Sequence, residues 1–497
     1  MLCHSTTQDG LPIWGYVGDA ELVDYVLGRT DRSHRYIYTH LHFNVGYNGD
    51  RVVEVNVTAN PAQRVDITDY HDQVDVQFTY SVGWEERAGI PFEARMMRYT
   101  RMHFLPASFE IHWLSIINSF VLVILLTVFL SIILMRVLKN DFTRYMREDG
   151  VGEGEMLLAA DGGGGGGGGG AQEETGWKLL HGDVFRHPSG RQAMLFSAGI
   201  GAGAQLLLMV AMLLVLALMG MFVPTKRGAV ATAVIVLYAL TSCVGGYLAA
   251  RLYRQLGGTN WVWNIVLANV MFPGPLFALF CFLNSVAVGH GSTAALPFGT
   301  ILVVFALFLL VAFPLGVVGG VAGRNSTAVG EFSAPCRTTK VPRQIPHIPC
   351  YRRGCVQMLL AGFLPFSAIY IELHYIFAAV WGHKIYTLFG ILFLAFLMLV
   401  IVTSFITIAL TYFQLAAEDH RWWWRSFASG GSTGFFIYAY CFFYYFHRSE
   451  MFGFMQTSFY FGYMAVTAYG FFLMLGCVGW YSSLVFVRHI YGAIKTD

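Results

Sequence analysis

Hydrophobic and polar positions divide this chain into two unequal parts. Up to residue 110, polar residues are mixed with Tyr, Val, Ile and Phe; beyond Trp113, long apolar runs alternate with short charged loops. In the first part, Tyr36–Val45 and Val52–Val57 have the composition of strands, with the turn signal Asn48-Gly49 between them. Val74–Trp84 reads as a further strand. Together they predict a β-rich soluble domain over residues 1–110, arranged as a sandwich. In the second part, nine runs reach the roughly 20 apolar residues that a helix needs to cross a bilayer. They are 113–135, 194–223, 228–250, 261–288, 294–323, 354–382, 385–417, 427–446 and 455–487. The predicted fold is an α-helical polytopic membrane protein with nine transmembrane helices and an N-terminal β-rich domain. Its parts are that domain, a first helix over 111–135, a loop over 136–192, an eight-helix domain over 193–487 and a tail over 488–497.

Composition agrees with this pattern. Charged residues make up 12% of the chain and hydrophobic ones 56%, where ordinary globular domains carry about 25% charged residues. Placement of charge sets orientation. With the N-terminus outside, nineteen Lys and Arg residues fall in inner loops and tail, against four in outer loops. Adding Arg95, Arg98 and Arg101 raises the outer count to seven and keeps the bias. The positive-inside rule then predicts a lumenal N-terminus and a cytosolic C-terminus. No basic block with interleaved aromatics suggests a nucleic-acid surface. Cys243, Cys281, Cys441 and Cys477 lie inside apolar runs, so no disulfide framework is expected.

Candidate chemistry is sparse. His40 and His42 share one face of a strand, without a third metal ligand at recognisable spacing, and read as a surface pair. Asn56-Val57-Thr58 is a glycosylation sequon if the first domain is lumenal. Residues 162–170 are nine consecutive glycines, a flexible linker. Trp177, Leu180 and Val184 fall on one helical face and predict an interfacial helix. Four prolines keep 324–353 extended; Cys350 and Cys355 flank Arg352-Arg353 beside a span, a setting for palmitoylation. A zinc site from Cys336, Cys350, Cys355 and His347 would need an odd ligand spacing.

Glu372 lies well inside the sixth apolar run. An acid there costs a few kcal/mol, so it should face other helices or water. It is either an ion- or ligand-coupling site or a buried acid bonded to Tyr, Asn or His of a neighbouring helix. Gly319 and Gly323 make a GxxxG match. No hydrolase, kinase or metalloenzyme motif appears, so neither an enzyme nor a cofactor is expected.

The segment Glu418–Phe427, EDHRWWWRSF, joins two charge-free apolar runs. Glu418, Asp419, Arg421, Trp422, Trp423, Trp424 and Arg425 read as an aromatic, charged hinge on the inner membrane face, with Glu418 and Arg421 paired at i,i+3 if helical.

With Tyr412–Leu415 before it, this string resembles the YFQL…EDYRWWWRSF signature of the nonaspanins, the transmembrane nine superfamily. Gly176–Arg186 resembles the family's GWKLVHGDVFR motif. Cys336–Thr338 with Pro342–Pro346 resembles its CRT…PRQIP pattern. Phe109–Ser119, before the first span, is a further match, and the member-one-like subgroup is the nearest in motif. The resemblance covers residues 11–497, departs at the nine glycines, and implies a Golgi and endosomal protein. Its implied role is to help sort, retain or deliver other membrane proteins, notably those with glycine-rich spans. The implied partners are membrane lipids, transmembrane cargo and vesicle coat proteins. The last would read Lys495 and Asp497, which match the family's C-terminal K-x-D/E signal. An ion- or solute-coupled transporter using Glu372 is the alternative. Met1–His4 lacks the basic start and apolar core of a signal peptide. The family normally has a cleaved signal and a longer lumenal domain, so an N-terminal truncation is expected.

Overall fold

The computed structural model describes residues 3–8, 11–22, 33–67, 76–92, 95, 117, 120–141, 143, 176–222, 228–292, 295–326, 332, 334–336, 338–339, 341–346, 354–381, 389–448 and 453–493. The chain forms two compact units. One comprises Met1–His112 with Val223–Arg227; the other comprises Trp113–Phe222 with Gly228–Asp497.

In the first unit the strands are β1 (Cys3–Gln8), β2 (Leu11–Tyr16), β3 (Gly18–Leu22), β4 (Ser33–Tyr38), β5 (His40–Asn48), β6 (Arg51–Ala59), β7 (Arg64–Asp66) and β8 (Thr79–Glu86). The expected sandwich is, among the described residues, three small sheets ordered β1-β2, β3-β4-β7 and β6-β5-β8. The Asn48-Gly49 signal does mark a tight hairpin. Asn48 pairs with Arg51, and Gly49 takes φ 63°, the left-handed value that favours glycine. Val45, Val53 and Val55 turn inward from this hairpin. β8 adds to β5 in parallel, because the chain passes through β6 and β7 before returning. That parallel register places His40 and His42 beside hydroxyls. His40 hydrogen-bonds Thr79 Oγ1 (2.8 Å) and Ser81 Oγ (2.9 Å), and His42 hydrogen-bonds the same Ser81 Oγ (2.8 Å). The histidine pair belongs to the sheet.

The second unit is helical: α1 (Phe120–Asp141), α2 (Gly190–Leu218), α3 (Gly228–Gln255), α4 (Trp261–Val270), α5 (Pro273–Gly289), α6 (Phe298–Asn325), α7 (Gly354–Trp381), α8 (Phe389–Ala416), α9 (Trp422–Gly431), α10 (Thr433–Arg448) and α11 (Phe454–Gly492). Among the described residues, seven helices are long and apolar enough to cross a membrane: α1, α2, α3, α6, α7, α8 and α11. The pair α4 and α5, bent by 41°, makes an eighth if it counts as one span. Its break falls just before Pro273, and Pro275, two residues on, has no N–H to donate to Met271 O. Tyr469 of α11 donates to the freed carbonyl of Met271 at 2.9 Å and stacks on Phe272.

The expected span over 427–446 is divided between α9 and α10. At about 1.5 Å per residue, the 16 residues of α10 rise about 24 Å, less than the ~30 Å hydrocarbon core. The division accompanies close contact with α11. A Cβ on Gly430 would lie 2.4 Å from Leu475 O, and one on Gly434 2.5 Å from Ala468 O. Glycine alone lets these backbones meet.

The same device joins α3 to α6. A Cβ on Gly319 would fall 1.9 Å from Cys243 O, and one on Gly323 2.3 Å from Tyr247 O; Gly246 meets Gly316 O in the same way. The GxxxG face is thus an internal seam. Before Pro314, α6 widens into a π turn over Phe308–Ala312, where Ser242 of α3 donates to Ala312 O at 2.9 Å. Among the described residues, helix α1 is mostly uncovered by protein and buries Val123 against Ala361, Met398, Val402 and Ile406.

Candidate functional site

Three segments far apart in sequence meet at one end of the helical unit. The first begins with a 3-10 turn, Trp177–Leu180, followed by further turns to Phe185. Trp177, Leu180 and Val184 are at most 1% exposed, so the expected interfacial helix is instead a short turn sunk in the protein core. Tyr491 of α11 donates to Trp177 O at 2.6 Å and meets its ring edge-on. Trp177 Nε1 in turn donates to Asp141 at the end of α1 (3.1 Å), an oxygen that also accepts the Tyr412 hydroxyl.

The second segment, around Thr339–Arg343, is held by Asp183. This buried carboxylate accepts from Arg186 Nε (3.1 Å) and Nη2 (2.6 Å), Thr339 Oγ1 (3.0 Å) and the Arg343 amide (3.0 Å). Arg186 Nη2 also donates to Thr339 O at 2.7 Å. Burial alone would raise the Asp183 carboxyl. The Arg186, Arg343 and Thr339 hydrogen bonds outweigh it and hold the group below its ordinary 3.8. Burial pushes the nearby Cys336 thiol up.

The third segment is the tryptophan hinge. Residues 417–421 leave the helix, so the i,i+3 pair of Glu418 and Arg421 does not form. Glu418 ends α8 at φ 58° and pairs with Arg343 at 3.2 Å. Asp419 accepts the Arg421 amide (3.0 Å) and pairs with Arg425 (2.9 Å), setting the first turn of α9. Arg425 in turn lies against Gly354, where α7 begins. Arg421 is exposed at the mouth of α9.

Two of the three hinge tryptophans face protein and not the membrane interface. Trp422 is 0% and Trp423 2% exposed, and they stack at 4.9 Å inside the protein. Trp422 Nε1 donates to Val184 O at 2.7 Å, closing the link to the first segment. Trp424 is 38% exposed. Phe196 of α2 sits edge-on to Trp423, Trp424, Phe427 and Trp480, all within 6.1 Å. Such edge-to-face contacts add about 0.5–1.5 kcal/mol each beyond buried area.

The structure therefore brings Glu418, Asp419, Trp422, Trp423 and Arg425 together with Asp183, Arg186, Thr339 and Arg343. Asp183 and Asp141 were not legible as partners in the sequence. Asp183 stands within the Gly176–Arg186 motif and Asp141 just past the first apolar run, and neither position names a partner.

Glu372 is separate. It is 8% exposed on α7 and lines a small cavity with room for about one water-sized particle. Of the two readings of this acid, a bond to a neighbouring Tyr, Asn or His is not found: among the described residues Glu372 makes no hydrogen bond or ion pair, and His374 hydrogen-bonds Tyr440 OH at 3.0 Å. Asn56 is exposed on β6. Lys495, Asp497, Cys350, His347 and the nine glycines lie outside the described residues, as does the Cys355 side chain at the start of α7. Among the described residues no group of three or more metal-binding side chains gathers.

The fold and this junction define a polytopic helical membrane protein that carries a small sheet domain. The chain belongs to the Endomembrane protein 70 family, whose model matches residues 3–454, and so to the transmembrane 9 superfamily. It is 55% identical over 491 residues to transmembrane 9 superfamily member 4 of Arabidopsis thaliana. It is 45% identical over 492 residues to member 1 of Mus musculus, the subgroup its motifs suggested. It is 47% identical over 489 residues to a Dictyostelium discoideum protein named putative phagocytic receptor 1b. Each alignment covers 98% of this chain and 78% of the relative. No solved structure is a significant match.

Proposed function

We propose that this protein helps sort, retain or deliver other membrane proteins in Golgi and endosomal membranes, notably those with glycine-rich spans. It lies with its N-terminus lumenal and its C-terminus cytosolic, as the loop charges favour. The observation that supports the reading best is the glycine-tight bundle. Backbone contacts such as Gly319 to Cys243 close the α3–α6 seam, while lipid-facing α1 and the first part of α6 stay uncovered for another helix. A scaffold presenting helix faces suits recognition of transmembrane cargo, where close packing supplies the affinity. In this reading Lys495 and Asp497 engage a vesicle coat subunit through charge-assisted hydrogen bonds. Asn56 accepts a glycan, and Cys350 and Cys355 accept palmitate. The protein is not an enzyme. Transport coupled to Glu372 is the second reading, favoured by that acid's lack of a hydrogen-bond or ion-pair partner among the described residues.

One paired experiment tests the readings. The protein is depleted from cells and restored as wild type, as Glu372→Gln, or with Lys495 and Asp497 both changed to Ala. Surface delivery of a glycine-rich reporter, residence of the protein in the Golgi, glycan at Asn56 and lipid at Cys350 and Cys355 are followed, with ion flux in reconstituted vesicles. Sorting predicts lost delivery on depletion, and tail-dependent Golgi residence. Unchanged delivery together with flux abolished by Glu372→Gln would replace sorting with transport.

A further inference from the structure

Glu372 sits nine residues before the Trp381 end of α7, about 13 Å along the helix at 1.5 Å per residue. Its carboxyl group is the polar element of a cavity otherwise walled by Ala368, Ile371, Ile391, Leu394, Ala395 and Met398, between α7 and α8. Among the described residues it has neither hydrogen bond nor ion pair, although it is more than nine-tenths buried. Burying such a group without compensation is costly, so the cavity calls for an occupant that donates.

The chemistry narrows the occupant. The space admits about one water-sized particle, but a buried water needs two to four polar partners, and these walls offer one. A guanidinium is too broad for the space. An ammonium group is close to water in size and carries three donors on an aliphatic stem. Among the described residues Ile371, Ile391 and Leu394 are only half-buried, which sets the cavity near the outer surface between the two helices, where such a stem would lie. Inside a bilayer, a lysine-bearing helix also bears the cost of its own charge, and pairing relieves both partners.

We infer that Glu372 and the α7–α8 cavity form a binding site for the ammonium group of a lysine in the transmembrane helix of a partner protein. This deepens the sorting reading and rests on it. It places recognition at an acid-lined notch in addition to small-residue packing.

The test uses the full chain in nanodiscs with synthetic single-span peptides. These are leucine-rich and carry Lys, Leu or Asp at one position, in the half of the span that faces the Trp381 end of α7. Wild type should retain the Lys peptide about tenfold over the Leu peptide, within the range of intramembrane polar pairs. Glu372→Gln should bring the Lys peptide to the Leu level. Glu372→Lys should reverse the preference toward the Asp peptide. Thermal unfolding of each variant identifies any that misfolds, and Glu372→Gln alone then decides. Equal capture of Lys and Leu peptides by wild type would overturn the inference, as would undiminished capture of the Lys peptide by Glu372→Gln. In cells, Glu372→Gln should restore delivery of a glycine-rich reporter without lysine and fail for one with it. Loss of neither on depletion would count against sorting itself, while the peptide result stands apart.

Discussion

The indole nitrogen of Trp422 donates to the main-chain oxygen of Val184, 2.7 Å away and 238 positions earlier in the chain. Both residues are 0% exposed. A tryptophan in a headgroup belt would leave its N–H to lipid and water. Here it satisfies a carbonyl of an irregular turn that no helix or sheet partner reaches. Buried irregular backbone needs such bonds, because each group left unsatisfied costs about 1–3 kcal/mol.

Asp183 should make the junction sensitive to acid. Its carboxyl is held below the ordinary 3.8, so its contribution is complete above that pH and is lost as pH falls through the lower folded value. Asp183→Asn should therefore destabilise the protein at neutral pH by about 1–3 kcal/mol. The difference from wild type should shrink below pH 3.8. Unfolding in detergent, followed across pH for both proteins, checks this; a constant difference would count against the carboxylate.

Glu418 occupies a left-handed position at φ 58°, which costs a non-glycine residue roughly 1–2 kcal/mol. Its pair with Arg343 is partly exposed and should return no more than about 1 kcal/mol. Glu418→Gly should then melt at or above wild type, whereas Glu418→Ala, which loses the pair and keeps the backbone conformation, should melt lower. Equal losses in both variants would mean that the ion pair outweighs the backbone term.

Gly319 and Gly299 lie on the same helix in opposite settings. A Cβ at Gly319 would clash with Cys243 O at 1.9 Å, while one at Gly299 meets nothing within 4 Å. Gly319→Ala should force α3 and α6 apart and cost about 1–3 kcal/mol or more. Gly299→Ala should be neutral or gain up to about 1 kcal/mol. Melting temperatures of the two variants in one detergent make the comparison.

Apolar run length carried most of the helical architecture, because a bilayer demands long helices whatever their neighbours. The 33-residue run from Ile385 held α8. Breaks were harder to read. The bend at Met271–Phe272 and the division at Ser432 depend on Tyr469 and on glycines pressed against α11, which no local pattern states. The tryptophan hinge was legible as special, yet residue type pointed to lipid where the fold supplied protein. Trp422 and Asp183 find their partners across long loops, and pairing over such distances leaves no periodicity in sequence.

The central claim is that the turn at 177–186, the segment around Thr339–Arg343 and the hinge at 418–427 hold one another in place. Trp422→Phe removes the bond to Val184 O, whereas Trp423 Nε1 has no acceptor among the described residues, so Trp423→Phe is the matched control. Both lose similar volume, and the first should cost about 1–3 kcal/mol more. The most direct measurement is backbone hydrogen exchange of the full chain in nanodiscs. Trp422→Phe should speed exchange in 182–186 and 338–343 together, with a smaller change for Trp423→Phe. Faster exchange confined to the hinge itself, with the other two segments as protected as in wild type, would contradict the account.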